Sequence, residues 1–181
     1  MAPMHRSKPA SVYLERPSAR RRAEFLRLER RSRKLHRPWV TAPATPAAYA
    51  QYLSRSRLSR NRFFFVCAAD DDALAAVVNV SEIVGGVFQS AYLGFYAFAP
   101  AAGQGYTRAG LGLVLDEMFR EVGLHRLEAN IQPGNARSSS LVRGLGFRQE
   151  GYSPRYLKIG GRWRDHERWA ILREEWRARD R

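Results

Sequence analysis

Gly103, Gln104 and Gly105 stand between an apolar, strand-like run ending near Phe98 and an amphipathic helical run, a placement that could hold an anion. The first N–H groups of a helix have no acceptor within it, and the helix dipole makes that end positive. Glycine adds no side-chain bulk, so a diphosphate could lie against the main chain of Gly103, Gln104, Gly105, Tyr106, Thr107 and Arg108, with the Arg108 guanidinium adding a charged contact. An ordinary strand-to-helix turn would use the same residues. The loop lacks the Gly-Lys-Ser or Gly-Lys-Thr end of a nucleoside-triphosphate site, and Arg108 falls where a dinucleotide fingerprint carries its third glycine.

Asn135 and Ser138 form a second chemical pair at the start of a short helical run. Asn and Ser there satisfy free helix N–H groups, and the same side chains can face a ligand. Glu82 and Glu128 are the carboxylates available as a general base on strand-like segments; alternation along Leu127, Ala129 and Ile131 turns Glu128 to the opposite face, where it could also be a solvated structural group. Tyr92, Tyr152 and Tyr156 could relay a proton or simply be buried phenols with one partner. No His or Cys dyad suggests covalent catalysis, and His5, His36, His125 and His166 lack zinc-ligand spacing, so no metal is expected. The single cysteine, Cys67, excludes an internal disulfide and follows the apolar run Phe63 to Val66, which makes it a core residue. Trp163-Arg164-Asp165-His166 resembles a catalytic cluster, but a hairpin exit with an aromatic anchor and local ion pairs explains it as well.

These residues must be positioned by alternating helices and strands. Val12 to Arg16 predicts a short strand, and Pro17-Ser18 a helix start; Phe25, Leu28 and Leu35 at helical spacing carry that helix to about His36, before Pro38. Thr45-Pro46 opens a second helix burying Tyr49, Tyr52 and Leu53. Three strands follow, Phe63 to Ala68, Ala73 to Ile83 and Gln89 to Phe98, divided by Asp70-Asp71-Asp72 and Gly85-Gly86 as an antiparallel meander. Leu111, Leu115, Met118, Phe119 and Val122 stripe one helix that ends at Gly123. Then come a strand from Arg126 to Gln132, the Pro133-Gly134 turn, a helix from Ala136 to Leu145, and strands Phe147 to Ile159 and Trp163 to Leu172 joined at Gly160-Gly161. The order predicts one α+β domain over 12–176, with a basic helical part at 17–61, a disordered extension at 1–11 and a tail at 177–181.

At 181 residues with 45% apolar side chains, the chain can bury one substantial core. No signal-like apolar run follows the first basic residues and no segment is long enough to span a bilayer, so a cytoplasmic location without membrane contact is expected. The net charge of +14 is concentrated in ten Arg or Lys residues between Arg16 and Arg37 and four arginines between Arg55 and Arg62, which would attract a polyanion such as RNA. A coding bias offers another explanation, since 28 of the 31 basic residues are arginine.

The chain resembles the GNAT superfamily of N-acetyltransferases, whose diphosphate loop reads Gln/Arg-x-x-Gly-x-Gly/Ala and here stands as Ala102-Gly103-Gln104-Gly105-Tyr106-Thr107. Gly105 fits, while Ala102 and Thr107 depart. The similarity is greater to bacterial enzymes that acetylate the N-terminal Ala or Ser of ribosomal proteins, particularly the ribosomal-protein-alanine type. It rests on Tyr92-Leu93-Gly94, Gly103-Gln104-Gly105, His125-Arg126, Asn135-x-x-Ser138, Gly144-Leu145-Gly146-Phe147, Glu150-Gly151-Tyr152 and Gly161-x-Trp163-Arg164-Asp165-His166. The resemblance implies acetyl-CoA as cosubstrate and a mixed, mostly antiparallel sheet of about seven strands, flanked by about four helices and splayed in the middle. It places pantetheine along Ala97 and Phe98, diphosphate on Gly103 to Arg108, Asn135 on the cofactor side and Ser138 at the thiol sulfur.

Direct transfer to an amine needs that amine neutral. An α-amine with pKa near 7.8 is roughly a tenth neutral at pH 7, against about 0.04% for a lysine near 10.4. The reading favoured is acetyl transfer to a protein N-terminus, an Ala- or Ser-starting ribosomal protein, by a monomer or homodimer whose basic helices could touch ribosome or RNA. Two alternatives stand beside it: the same fold acting on a small amine or antibiotic, and an RNA-binding protein with a degenerate acetyltransferase fold.

Overall fold

The computed structural model describes residues 10–178, and the expected disordered residues 1–9 and the last three of the tail lie outside them. Seven strands, β1 (Val12–Glu15), β2 (Arg62–Ala68), β3 (Leu74–Val84), β4 (Ser90–Ala97), β5 (Arg126–Ile131), β6 (Arg148–Ile159) and β7 (Arg162–Leu172), form one sheet. Their order is β1-β2-β3-β4-β5-β7-β6, and every pairing is antiparallel except β4 with β5. The expected α+β sheet is therefore present. Its hydrogen bonding already begins at Ser11, whose carbonyl accepts from the Ala69 amide at 3.0 Å.

Two cores clothe the sheet, because β2 and β3 are apolar on both faces. Phe64, Val66, Val78 and Val80 pack with Leu111, Leu115, Met118 and Phe119 of α3 (Tyr106–Asp116) and the turn that follows it. Phe63, Phe65, Cys67 and Val77 pack with Phe25 of α1 (Arg22–His36) and with Tyr49 and Tyr52 of α2 (Pro46–Ser56). On that second face Phe25 centres an aromatic cluster, with ring centroids 4.9 Å from Tyr49 and 5.4 Å from Phe98. On the first face Gly110 lets α3 lie against the sheet: a Cβ there would stand 2.3 Å from Val66 Cγ2.

Three features differ from the sequence reading, each for a local reason. The third helix leaves the α form after Asp116 for a π turn over Glu117–Glu121, in which Val122 N–H bonds the Glu117 carbonyl at 3.0 Å. This wider turn accompanies complete burial of both Met118 and Phe119. On α1 the buried stripe is Phe25, Leu28, Glu29, Ser32 and His36, while Leu35 is only half-buried. A short α5 (Arg173–Arg177) occupies the expected C-terminal end; Glu175 accepts from Leu172 N–H at 2.8 Å and Trp176 Nε1 donates to Asp116 at 2.9 Å. No helix among the described residues is long and apolar enough to cross a membrane.

Candidate active site

The β4–β5 ladder covers only three rungs, Ser90–Arg126, Ala91–Leu127 and Tyr92–Glu128, although both strands continue beyond it. A wedge therefore opens between the rest of β4 and the end of β5. Phe98 N–H donates to the Ala75 carbonyl at 2.9 Å, on the β3 side. Strand alternation then turns the main chain of Ala97 and Phe95 toward the wedge. These edge groups can pair with an extended ligand as a further strand would. Of the two positions expected to bind pantetheine, Ala97 offers its amide to the gap, whereas Phe98 directs its amide into the sheet and buries its ring completely.

Just past the β4 end, a 3-10 turn over Ala99–Ala101 leads into the glycine loop. Gly103 and Gly105 have φ of 80° and 87°, left-handed values that favour glycine, and Gly105 caps α3 without a side-chain bond. The first intrahelical bond is Ala109 N–H to the Gly105 carbonyl, which leaves the amides of Tyr106, Thr107 and Arg108 at the positive helix end. This fits a diphosphate. Gln104 turns its side chain to the Pro100 carbonyl at 2.7 Å, and Arg108 donates to the Gly144 carbonyl at 2.7 Å, tying α3 to the end of α4 (Ala136–Gly144).

Asn135 caps α4, its side-chain oxygen accepting from Ser138 N–H at 3.3 Å, while Ser138 is half-buried with its hydroxyl unengaged among the described residues. Glu128 and Tyr92 face each other on the last rung before the wedge, and Arg126 Nε donates to Glu128 at 2.8 Å. A hydrogen bond to Tyr156, together with burial, pushes the Tyr92 phenol up to about 12. Glu128, Tyr92 and Tyr156 thus meet at the wedge apex. Glu82 does not join them: it sits in a bulge of β3 with φ of 51°, exposed and 3.5 Å from Arg60, and β4 stands between it and the wedge. Tyr152 is also elsewhere, donating to Asp165, which accepts Arg155 N–H at 2.7 Å and so closes the β6–β7 bulge. Trp163 is exposed, not an aromatic anchor. Cys67 is buried, and with Glu15 and Asp72 it forms a trio of metal-ligating types, but the Arg21 guanidinium lies among them.

The opposite wall of the wedge holds groups that motif reading missed. His36 Nε2 donates to the Ala97 carbonyl at 2.9 Å, and three residues later the Trp39 carbonyl accepts from Gln132 Nε2, just past β5, at 2.9 Å. The segment 36–39 therefore spans from one side of the wedge to the other. Beside it lies a cavity of about 490 Å³ walled by Glu29, Arg33 and His36 of α1, the loop beyond, and Arg164 near the β6–β7 turn. Among the described residues, Glu29 Oε2, His36 Nδ1, the Tyr96 hydroxyl, Asn130 Oδ1 and Arg164 Nε are all buried without a hydrogen-bond partner. Burial pushes the His36 imidazole down despite the Ala97 bond and the Glu29 charge, so the ring is neutral at pH 7. The signal was available: Glu29, Ser32 and His36 complete the buried stripe that Phe25 and Leu28 begin.

The Acetyltransferase (GNAT) domain model matches residues 12–148. The chain is 34% identical over 122 residues to a probable N-acetyltransferase of Bacillus subtilis (strain 168), covering 67% of each protein. It is 36% identical over 114 residues to the [ribosomal protein uS5]-alanine N-acetyltransferase of Escherichia coli (strain K12), covering 63% of this chain and only 59% of that enzyme. Among solved structures, Mycobacterium smegmatis RimJ in complex with CoA-disulfide superposes with a TM-score of 0.81 at 28% identity, over 91% of this chain and 83% of that one. The spermidine N-acetyltransferase of Vibrio cholerae, in complex with CoA and spermine, shares the fold with a TM-score of 0.76 at 22% identity, over 91% and 97%. With acetyl-CoA as its expected cosubstrate, the chain belongs to the GNAT acetyltransferase family.

Proposed function

We propose that this protein moves the acetyl group of acetyl-CoA to the α-amine of a protein N-terminus, an Ala- or Ser-starting ribosomal protein in the cytoplasm. The observation that carries the reading is the wedge itself: an unpaired β4 edge that ends on the glycine loop at one side and on the 36–39 crossing segment at the other. Similarity to the uS5-alanine enzyme supports the choice of acceptor.

Acetyl-CoA supplies the thioester. Phe95 offers its edge amide and carbonyl, and Ala97 its amide, to the pantetheine arm, while the Ala97 carbonyl stays with His36; the amides from Tyr106 to Arg108 receive the diphosphate. Asn135 keeps α4 in register so that the Ser138 hydroxyl can hydrogen-bond the departing thiolate. Glu128, beside Tyr92 at the apex, is better placed than Glu82 to take the proton that the amine loses, directly or through water. A modest base suffices, because an α-amine is already partly neutral near pH 7.

Incubation with acetyl-CoA and peptides presenting an N-terminal Ala, an N-terminal Ser or only a lysine side chain tests the assignment, read by mass. Acetyl on the α-amine of the Ala and Ser peptides is expected. Modification of lysine side chains alone would remove the α-amine assignment and keep the enzyme class. Gly105→Val forces a β-branched residue into φ of 87° and is expected to raise the acetyl-CoA KM at least tenfold.

A further inference from the structure

The cavity beside the wedge carries an unusual set of charges. Its walls hold one carboxylate, Glu29, and three guanidinium groups, Arg33, Arg37 and Arg164, while His36 is neutral at pH 7. Glu29 is 5% exposed, and its Oε2 is held only by a long ion pair with Arg33 Nε at 3.5 Å, without a hydrogen bond among the described residues. Arg164 lines the same cavity, and its Nε is buried without a hydrogen-bond partner among the described residues. A buried polar atom left without a hydrogen bond is costly, because it has given up water and gained no partner. Several around one cavity, next to an unpaired strand edge, mark a place that a polar ligand completes.

The signs restrict that ligand. A polyamine would bring several positive charges against an excess of guanidinium over carboxylate. An acceptor with one amine and a nearby carboxylate matches both signs. The excess positive charge also favours the neutral, nucleophilic form of that amine, since like charges disfavour protonation.

We propose that this cavity selects N-terminal segments with an acidic side chain close behind the α-amine: Glu29 accepts a hydrogen bond from the amine, and Arg164, with Arg33, receives the carboxylate. This rests on the α-amine reading above and goes further by naming the sequence class of the acceptor and the residues that choose it. The guanidinium forks suit a carboxylate bidentately, which an amide cannot reproduce with equal strength.

The test compares kcat/KM of the wild-type chain, with acetyl-CoA, on three peptides identical except for Glu, Gln or Lys at the second position behind Ala, and on spermidine. The expected order is Glu above Gln above Lys, with at least tenfold between Glu and Lys and no transfer to spermidine. Arg164→Gln is expected to reduce the Glu-over-Gln ratio to below twofold. Glu29→Gln should raise the KM of every peptide about tenfold, with the acetyl-CoA KM within twofold of wild type. Equal rates on all three peptides, or a Glu preference that survives Arg164→Gln, would overturn this inference and leave α-amine transfer standing. Transfer to spermidine alone, or to no acceptor, would overturn both. The wild-type comparison needs no variant to fold.

Discussion

The two ends of α1 bury charge in opposite ways. At its start Arg21, 7% exposed, donates to the carboxylates of Glu15 at 2.8 Å, Glu24 at 2.9 Å and Asp72 at 2.5 Å, and to the Asp72 carbonyl at 2.9 Å. Tyr13 donates to Asp72 as well. Toward its other end, His36 Nδ1 and, across the cavity, Arg164 Nε are buried without a hydrogen-bond partner among the described residues, and Glu29 Oε2 has only its 3.5 Å ion pair with Arg33. A closed network joins β1, the turn before β3 and the helix start into one rigid corner. An open one holds capacity in reserve for a ligand, at a cost in stability that functional sites commonly carry. Perturbed charge alone therefore does not distinguish a site from a clasp; the count of unmet partners does.

Breaking the closed end should have the largest effect. Arg21→Met leaves three carboxylates around an apolar side chain and is expected to cost about 3–5 kcal/mol, read as a fall in the urea midpoint. Acetyl transfer per folded molecule should stay near wild type, and a selective loss of activity would mean that the clasp reaches the site. Gly110→Ala, which puts a methyl into Val66 on the sealed face of the sheet, should cost about 1–3 kcal/mol in the same assay.

Acid separates the two ends further. Burial alone would raise Glu15, but hydrogen bonds from Arg21 and Arg20 outweigh it and hold the carboxyl below its ordinary range; Tyr13 and Arg21 do the same to Asp72. The unfolded chain then binds protons more readily than the folded one, so this contribution is whole above the ordinary carboxylate range and is lost as pH falls through the depressed values. Urea midpoints should drop below about pH 4, and Arg21→Met should flatten that drop. The smallest effect belongs to the open end. Glu29→Gln removes an incompletely paired buried charge, so the urea midpoint should rise or move by no more than about 1 kcal/mol. A loss above about 2 kcal/mol would instead place Glu29 with the structural ion pairs.

Much of the geometry proposed for the cofactor side was legible in the chain, because its signals are local. Glycine at positive φ before an apolar-striped helix, and Asn three residues before Ser at a helix start, act through neighbouring main chain, and the structure keeps both. The opposite wall was not, since the four histidines, His36 among them, stand at no spacing that marks a site. His36 is chemically ordinary until it meets Ala97, which lies 61 positions away, and Trp39 marks the wedge only because Gln132, 93 positions away, reaches it. Glu82 and Glu128 looked equivalent as strand carboxylates; strand order set one at the apex and the other behind β4.

Periodicity and turn residues by themselves determined which segments became helix or strand and which faces were apolar, since those preferences are set within a few residues along the backbone. The length of the β4–β5 ladder, the crossing of segment 36–39 and the gathering of Glu29 with Arg164 were decided only by the tertiary structure. Each depends on where distant main-chain edges stop pairing, and no local preference encodes that distance.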